Sequence, residues 1–229
     1  MIKYVTIYGE RCSGTNYLEE LILLNFDVEI TWNYGWKHFF GFNDLTNTDD
    51  VLFIGIVRNL TDWINSLYRE RHHLPSELTQ NVDTFLNNTF YSVHDNQEES
   101  MVDRNMETNE RYKNIFELRR VKNKFLIKKM PHLVKNYTLI THDDLTANFV
   151  HVMKKLKDSG LKIKNNIEFP LNISYYKKIK NSVFTKKNNA ISKETIYKLI
   201  QDNELLLYEK LLFSKKIRFS NSKKLNCII

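Results

Sequence analysis

The sequence predicts an α/β protein: three layers, with a mostly parallel central sheet flanked by helices. Three observations carry that expectation. Tyr4-Val5-Thr6-Ile7-Tyr8 is β-branched and aromatic, and it runs through a short glycine loop into a segment with Leu18, Leu21, Ile22 and Phe26 at helical spacing. Val51 to Val57 is a continuous apolar run bounded by Asp49-Asp50 and Arg58. Such runs mark strands buried on both faces of a parallel sheet. Strand-like and helix-like segments then alternate, the pattern of a layered α/β fold.

The elements follow in order. After the first strand and helix, Val28 to Trp32 reads as a second strand leading into Gly35-Trp36-Lys37-His38-Phe39-Phe40. The apolar run is the third. Thr61-Asp62 opens a helix with Trp63, Ile64, Leu67 and Tyr68 on its apolar side. A short helix over 82–90 is expected. Ser92 to Asn109 is polar and aperiodic, which reads as a mobile loop or lid. A long amphipathic helix is predicted over 110–130, with Ile115, Leu118, Val121, Phe125 and Leu126 inward and Pro131 helping to end it. Tyr137 to Thr141 is a fourth strand. His142-Asp143-Asp144-Leu145 then leads into a helix closed near Gly160, with Asp144 expected as its cap. Asn165 to Asn189 is rich in lysine and asparagine and gives no clear pattern. Ser192 is expected to cap a final helix reaching about Leu212.

A chain of 229 residues suffices for one core with an appended subdomain. The expectation is one domain over 1–229, with a helical and loop insertion at about 71–134. A net charge of +7 favours an anionic ligand or partner. The two cysteines, Cys12 and Cys227, allow neither a disulfide framework nor a zinc site, and no metal is expected. No apolar run is long enough to span a membrane, and no signal peptide is expected at the start. A reducing cytoplasm is the simplest address.

The chemistry gathers where strands end. Gly9-Glu10-Arg11-Cys12-Ser13-Gly14 has the G-x-x-x-x-G spacing of a P-loop and holds two of the six glycines. Strand, glycine loop and helix make a phosphate cradle from backbone N–H groups and a helix N-terminus. Thr15 stands where a nucleoside triphosphatase has its lysine, so the loop suits a phosphate-like group without the usual ATPase apparatus. Arg58 follows the buried strand, in Arg58-Asn59-Leu60-Thr61-Asp62-Trp63-Ile64-Asn65-Ser66.

Here the sequence resembles the sulfotransferases that use 3′-phosphoadenosine 5′-phosphosulfate (PAPS). That family carries R-N-P-x-D-x-x-x-S after a strand. Arg58, Asn59, Asp62 and Ser66 match, with Leu60 in place of the proline. The resemblance implies that Arg58 and Ser66 bind the 3′-phosphate, a task suited to the planar arginine fork. The family's first motif is P-K-S-G-T-T-W. Ser13, Gly14 and Thr15 match outright, Asn16 replaces the second threonine, and Tyr17 holds the aromatic position that packs on adenine. Cys12 stands at the lysine that supports the departing bridging oxygen, with Arg11 one place earlier as a candidate for that role. Lys37-His38 resembles the strand end K-T-H, which implies His38 as general base and Lys37 as a second cation on the bridging oxygen. His142-Asp143-Asp144-Leu145 resembles the Y-E-D-L strand end, a marker of topology. Phe184-Thr185-Lys186-Lys187-Asn188 resembles the late F-x-R-K-G element, which implies a 3′-phosphate contact from Lys186 and Lys187.

The expected reaction is sulfuryl transfer from PAPS to a hydroxyl or amine of a small-molecule or carbohydrate acceptor, leaving adenosine 3′,5′-bisphosphate. The insertion is expected to shape the acceptor site, and no stable nucleic-acid complex is expected. Two alternatives stay open: a P-loop kinase or NTPase-like protein that lost its loop lysine, and a non-catalytic nucleotide- or nucleic-acid-binding module.

Overall fold

The computed structural model describes residues 1–71, 73–93, 103–173 and 189–214. Its core is a parallel sheet of β1 (Tyr4–Tyr8), β2 (Glu29–Ile30), β3 (Val51–Val57) and β4 (Tyr137–Thr141), in the order β2-β1-β3-β4. Every residue of β3 is buried, as its unbroken apolar run requires. The second strand is shorter than expected: only Glu29 and Ile30 pair with β1, at the sheet edge.

Alternation along the strands sorts side chains into two faces. Val5 and Ile7 of β1 and Leu52, Ile54 and Ile56 of β3 pack with helix α1 (Thr15–Asn25) and with residues of a later helix, Val152, Met153 and Leu156. Tyr8, Val51, Phe53 and Val57 face the opposite way, against Phe125, Leu126 and Met130. A third cluster joins α2 (Leu60–Arg69), α3 (Val82–Asn87) and α4 (Ile115–Lys124) to the C-terminal helices. The α/β reading therefore stands, and the segment 71–134 shares an apolar cluster with α2 and the C-terminal helices.

Four local expectations change. The helix after residue 110 begins at Ile115, where Asn114 accepts from the amides of Phe116 and Glu117. It does not end at Pro131. A π-helical turn at Phe125–Lys129 shifts the bonding pattern, Met130 N–H reaching the Phe125 carbonyl, and α5 (Met130–Leu133) continues with proline in its first turn, where no N–H is needed. Thr141, not Asp144, caps α6 (His142–Ala147), its hydroxyl accepting from the Asp144 amide at 3.0 Å; α7 (Phe149–Asp158) follows. The final helix is two: Ser192 caps α8 (Lys193–Leu199) and Asp202 caps α9 (Asn203–Phe213), a second N-cap inside an apolar pattern.

The expected lid is described only at its ends, and these are held fast. Ser92, Asp103 and Asn105 are almost wholly buried. Residues 94–102 lie outside the described residues, as do most of 165–189.

Candidate functional site: the glycine loop and the strand ends around it

Strand order reverses between β1 and β3, with β2 on one side of β1 and β3 on the other. Open α/β sheets bind ligands in the crevice at the carboxyl ends of strands at such a point. The loops leaving those strands are Gly9–Gly14 and Arg58–Asn59.

Four successive loop carbonyls are claimed by donors around them. Gly9 O meets His38 Nδ1 at 2.7 Å, Glu10 O takes the Ser13 amide at 3.1 Å, Arg11 O takes Trp63 Nε1 at 2.9 Å, and Cys12 O takes Arg58 Nη1 at 3.2 Å. The chain then passes through Cys12 and Gly14 in the left-handed region, at φ 64° and 97°. Gly14 is the N-cap of α1, and no side chain among the described residues caps that helix. Its first-turn amides are therefore left for an external acceptor, as they are wherever a helix end meets an anion. Of the loop residues expected to bind, Thr15 and Asn16 open α1, and Ser13 turns its hydroxyl back to Glu10 O at 2.5 Å.

Lys37 and His38 stand against this loop because Gly9 N–H bonds the Lys37 carbonyl at 3.0 Å. Lys37 is buried, with its ammonium on Asn16 Oδ1 and 3.2 Å from Glu19 at the start of α1. A carbonyl can only accept, so His38 Nδ1 carries the proton and Nε2 is the basic nitrogen. Burial drives the His38 pKa down to about 3, and Arg11, Lys37 and Lys122 add to the depression against the Gly9 hydrogen bond. The ring is neutral at physiological pH. An anion in the loop would oppose those cations and raise its basicity.

Arg58 and Ser66 meet at Cys12. Arg58 bonds the Cys12 carbonyl, and the Ser66 hydroxyl is in hydrogen-bond contact with the Cys12 thiol. About two turns separate serine from arginine, yet both reach Cys12, one at its thiol and the other at its carbonyl. The Arg58 Nε is buried with no hydrogen-bond partner among the described residues. Burial raises the Cys12 pKa despite Ser66 and Arg11, so the thiol stays protonated.

Arg11 is placed differently from Lys37. Its guanidinium donates to Ser92 Oγ at 2.8 Å and to the His73 carbonyl at 3.1 Å, and lies 3.5 Å from Asp103. It is engaged with the insertion, so the structure brings Lys37, and not Arg11, to the first turn of α1. Tyr17, in the first turn of α1, donates its hydroxyl to Asn172 Oδ1 at 2.9 Å. Lys186 and Lys187 lie outside the described residues.

Lys122 and Asp103 had no sequence signal. Lys122 on α4 is buried beside Glu10 and Asp103 and also donates to the His38 carbonyl at 2.7 Å. Burial works against the Lys122 ammonium, but Asp103 and Glu10 outweigh it and raise its pKa. Burial likewise opposes the Asp103 carboxylate, and Lys122 and Arg11 still hold it below the usual range. For Glu10 burial prevails over Lys122, and its pKa is raised. His142 packs on Gly14 from the end of β4. Asn59 Nδ2 ties that strand end to β3 through both Asp143 oxygens, at 3.2 and 3.1 Å.

No protein-family model, curated protein or solved structure matches this chain. Among the described residues no group of three His, Cys, Asp or Glu side chains could hold a metal, and no helix is long and apolar enough to cross a membrane.

Proposed function

We propose that the chain is a PAPS-dependent sulfotransferase of the cytoplasm. The observation that carries this reading is the convergence of Arg58 and Ser66 on the glycine loop at Cys12, with the buried Arg58 Nε unpartnered among the described residues. A loop with outward-held carbonyls suits the 5′-phosphosulfate. An arginine and a hydroxyl beside it suit a second phosphate.

The cosubstrate supplies an activated sulfuryl group when bound. The chain's residues do the rest. The first-turn amides of α1 hold the anion and orient it. Lys37, fixed at Asn16, counters the negative charge that grows on the bridging oxygen as its bond to sulfur breaks. His38 Nε2 accepts the proton as the acceptor oxygen forms its bond to sulfur.

The test is ligand selectivity. A charge-assisted hydrogen bond contributes about 1.5–3 kcal/mol. Arg58→Ala should therefore weaken adenosine 3′,5′-bisphosphate by roughly tenfold to a hundredfold, and AMP hardly at all, in calorimetric titration. Ser66→Ala should act in the same direction more mildly. Equal losses for both ligands, or a wild-type protein that binds ATP with magnesium more tightly than adenosine 3′,5′-bisphosphate, would reject the proposal in favour of a kinase-like site.

A further inference from the structure

The turn after β2 exposes two indoles beside His38. Trp32 and Trp36 are stacked with ring centroids 5.4 Å apart and an interplanar angle of 26°. They are 41% and 50% exposed, although tryptophan has more apolar surface to bury than any other side chain. The third tryptophan, Trp63, is wholly buried. The turn is closed by Gly35 N–H on the Trp32 carbonyl at 3.0 Å, with Gly35 at φ 97°. Lys37 lies against both rings, its ammonium 5.0 Å from the Trp32 centroid and 5.7 Å from that of Trp36. The same ammonium is anchored to Asn16 and Glu19, so the indoles are fixed relative to the glycine loop. The Trp36 and His38 rings lie nearly perpendicular, with centroids 5.9 Å apart.

We infer that Trp32 and Trp36 form a stacking platform for a hexopyranose ring, so that the acceptor is a carbohydrate hydroxyl presented to His38. This rests on the sulfotransferase reading for the role of His38, but not for binding itself. The chemistry of the surroundings selects the sugar. A phenol gains affinity from an enclosed apolar slot, whereas these indoles are open to solvent, with exposed Asn33 between them in the chain and exposed Asn43 beside Gly35. The Asn43 amide lies against Gly35 at the base of the pair. Asn43 and Asp44 also line a cleft of about 270 Å³ with Phe125 and Leu133. A sugar has the matching duality: an apolar C–H face to lay on indole and hydroxyls at its edge for an amide partner such as Asn43.

Tryptophan fluorescence reads the platform directly, because the exposed indoles report contact and buried Trp63 does not. Cellotetraose, chitotetraose and 4-nitrophenol would each be titrated into the full chain, with and without adenosine 3′,5′-bisphosphate. At least one oligosaccharide should give a saturable change. Trp36→Ala should weaken it at least about fivefold, the loss typical of a central aromatic contact, and Trp36→Phe should recover part. Adenosine 3′,5′-bisphosphate should raise the melting temperature of Trp36→Ala as much as that of wild type. No response to either sugar, or a Trp36-dependent response to 4-nitrophenol or to adenosine 3′,5′-bisphosphate instead, would overturn the platform. Loss of the adenosine 3′,5′-bisphosphate thermal shift in wild type would instead strike the sulfotransferase reading, and leave a sugar response standing.

Discussion

At Gly14 two constraints coincide. Its φ of 97° disfavours any side chain, and a Cβ there would lie 2.5 Å from His142 Cδ2. The imidazole is thus pressed against the loop, and burial lowers its pKa to about 4, with Arg58 adding to the shift. The sign of the resulting pH dependence follows from proton binding. Between about 6.5, the unfolded value, and about 4, the unfolded chain binds the proton and the folded chain does not. Stability from this residue is present above pH 6.5 and is lost as pH falls toward the folded value. His38 acts in the same direction and Glu10, with its raised pKa, in the opposite one. A difference between variants isolates His142. Urea denaturation at pH 7 and pH 5 should show wild type losing about 2 kcal/mol more on acidification than His142→Gln. Equal losses would mean that His142 titrates normally.

At the scale of elements, α2 is set in place by Asn59. Its Oδ1 accepts from the Asp62 amide at 2.9 Å, while Nδ2 bonds Asp62 and both oxygens of Asp143. One side chain therefore caps the helix that carries Ser66 and ties the ends of β3 and β4. Without it the helix loses a cap, which costs about 1 kcal/mol, and the Asp62 and Asp143 carboxylates lose the donor they share. Asn59→Ala should lower the melting temperature by about 2–6 °C, and Asn59→Ser, which keeps a capping oxygen, should lower it less. A scanning calorimetry trace in which serine is no better than alanine would assign the whole effect to the Asp143 tie.

Across the molecule, Glu10, Arg11, Asp103 and Lys122 form a buried group of two acids and two bases, joined by Ser92. It links the glycine loop to α4 and to both ends of the segment 92–103. Such a group is costly to bury and costlier to break: removing one partner leaves an uncompensated charge, at about 3–5 kcal/mol. Asp103→Leu should destabilise the chain by that amount in urea denaturation. Adding Lys122→Met should recover part of the loss, because the neighbouring charge goes with its partner. Simple additivity of the two losses would show that the pair does not act as a unit.

How much was legible in the sequence depends on the distance over which each signal acts. The strands β1, β3 and β4 were legible because apolar runs bounded by charge or turn residues are local. The loop was legible from glycine spacing, and Arg58 with Ser66 from a motif of nine residues that runs from the end of β3 into α2. Capping is local too, yet Thr141 against Asp144 was misread, since cap-forming residues within one turn compete and only backbone geometry selects one, and the break at Asp202 was missed inside a continuous apolar pattern. What the tertiary structure alone decided is which partner each polar group at the site takes. Arg11 looked like a loop cation, but Ser92 and Asp103 draw it into the insertion across 81 and 92 residues of chain. Lys122 reaches the His38 carbonyl across 84. Burial makes such pairings obligatory, because an unpaired charge in the interior is too unfavourable to persist. No periodicity or spacing along the chain records which distant group will satisfy it.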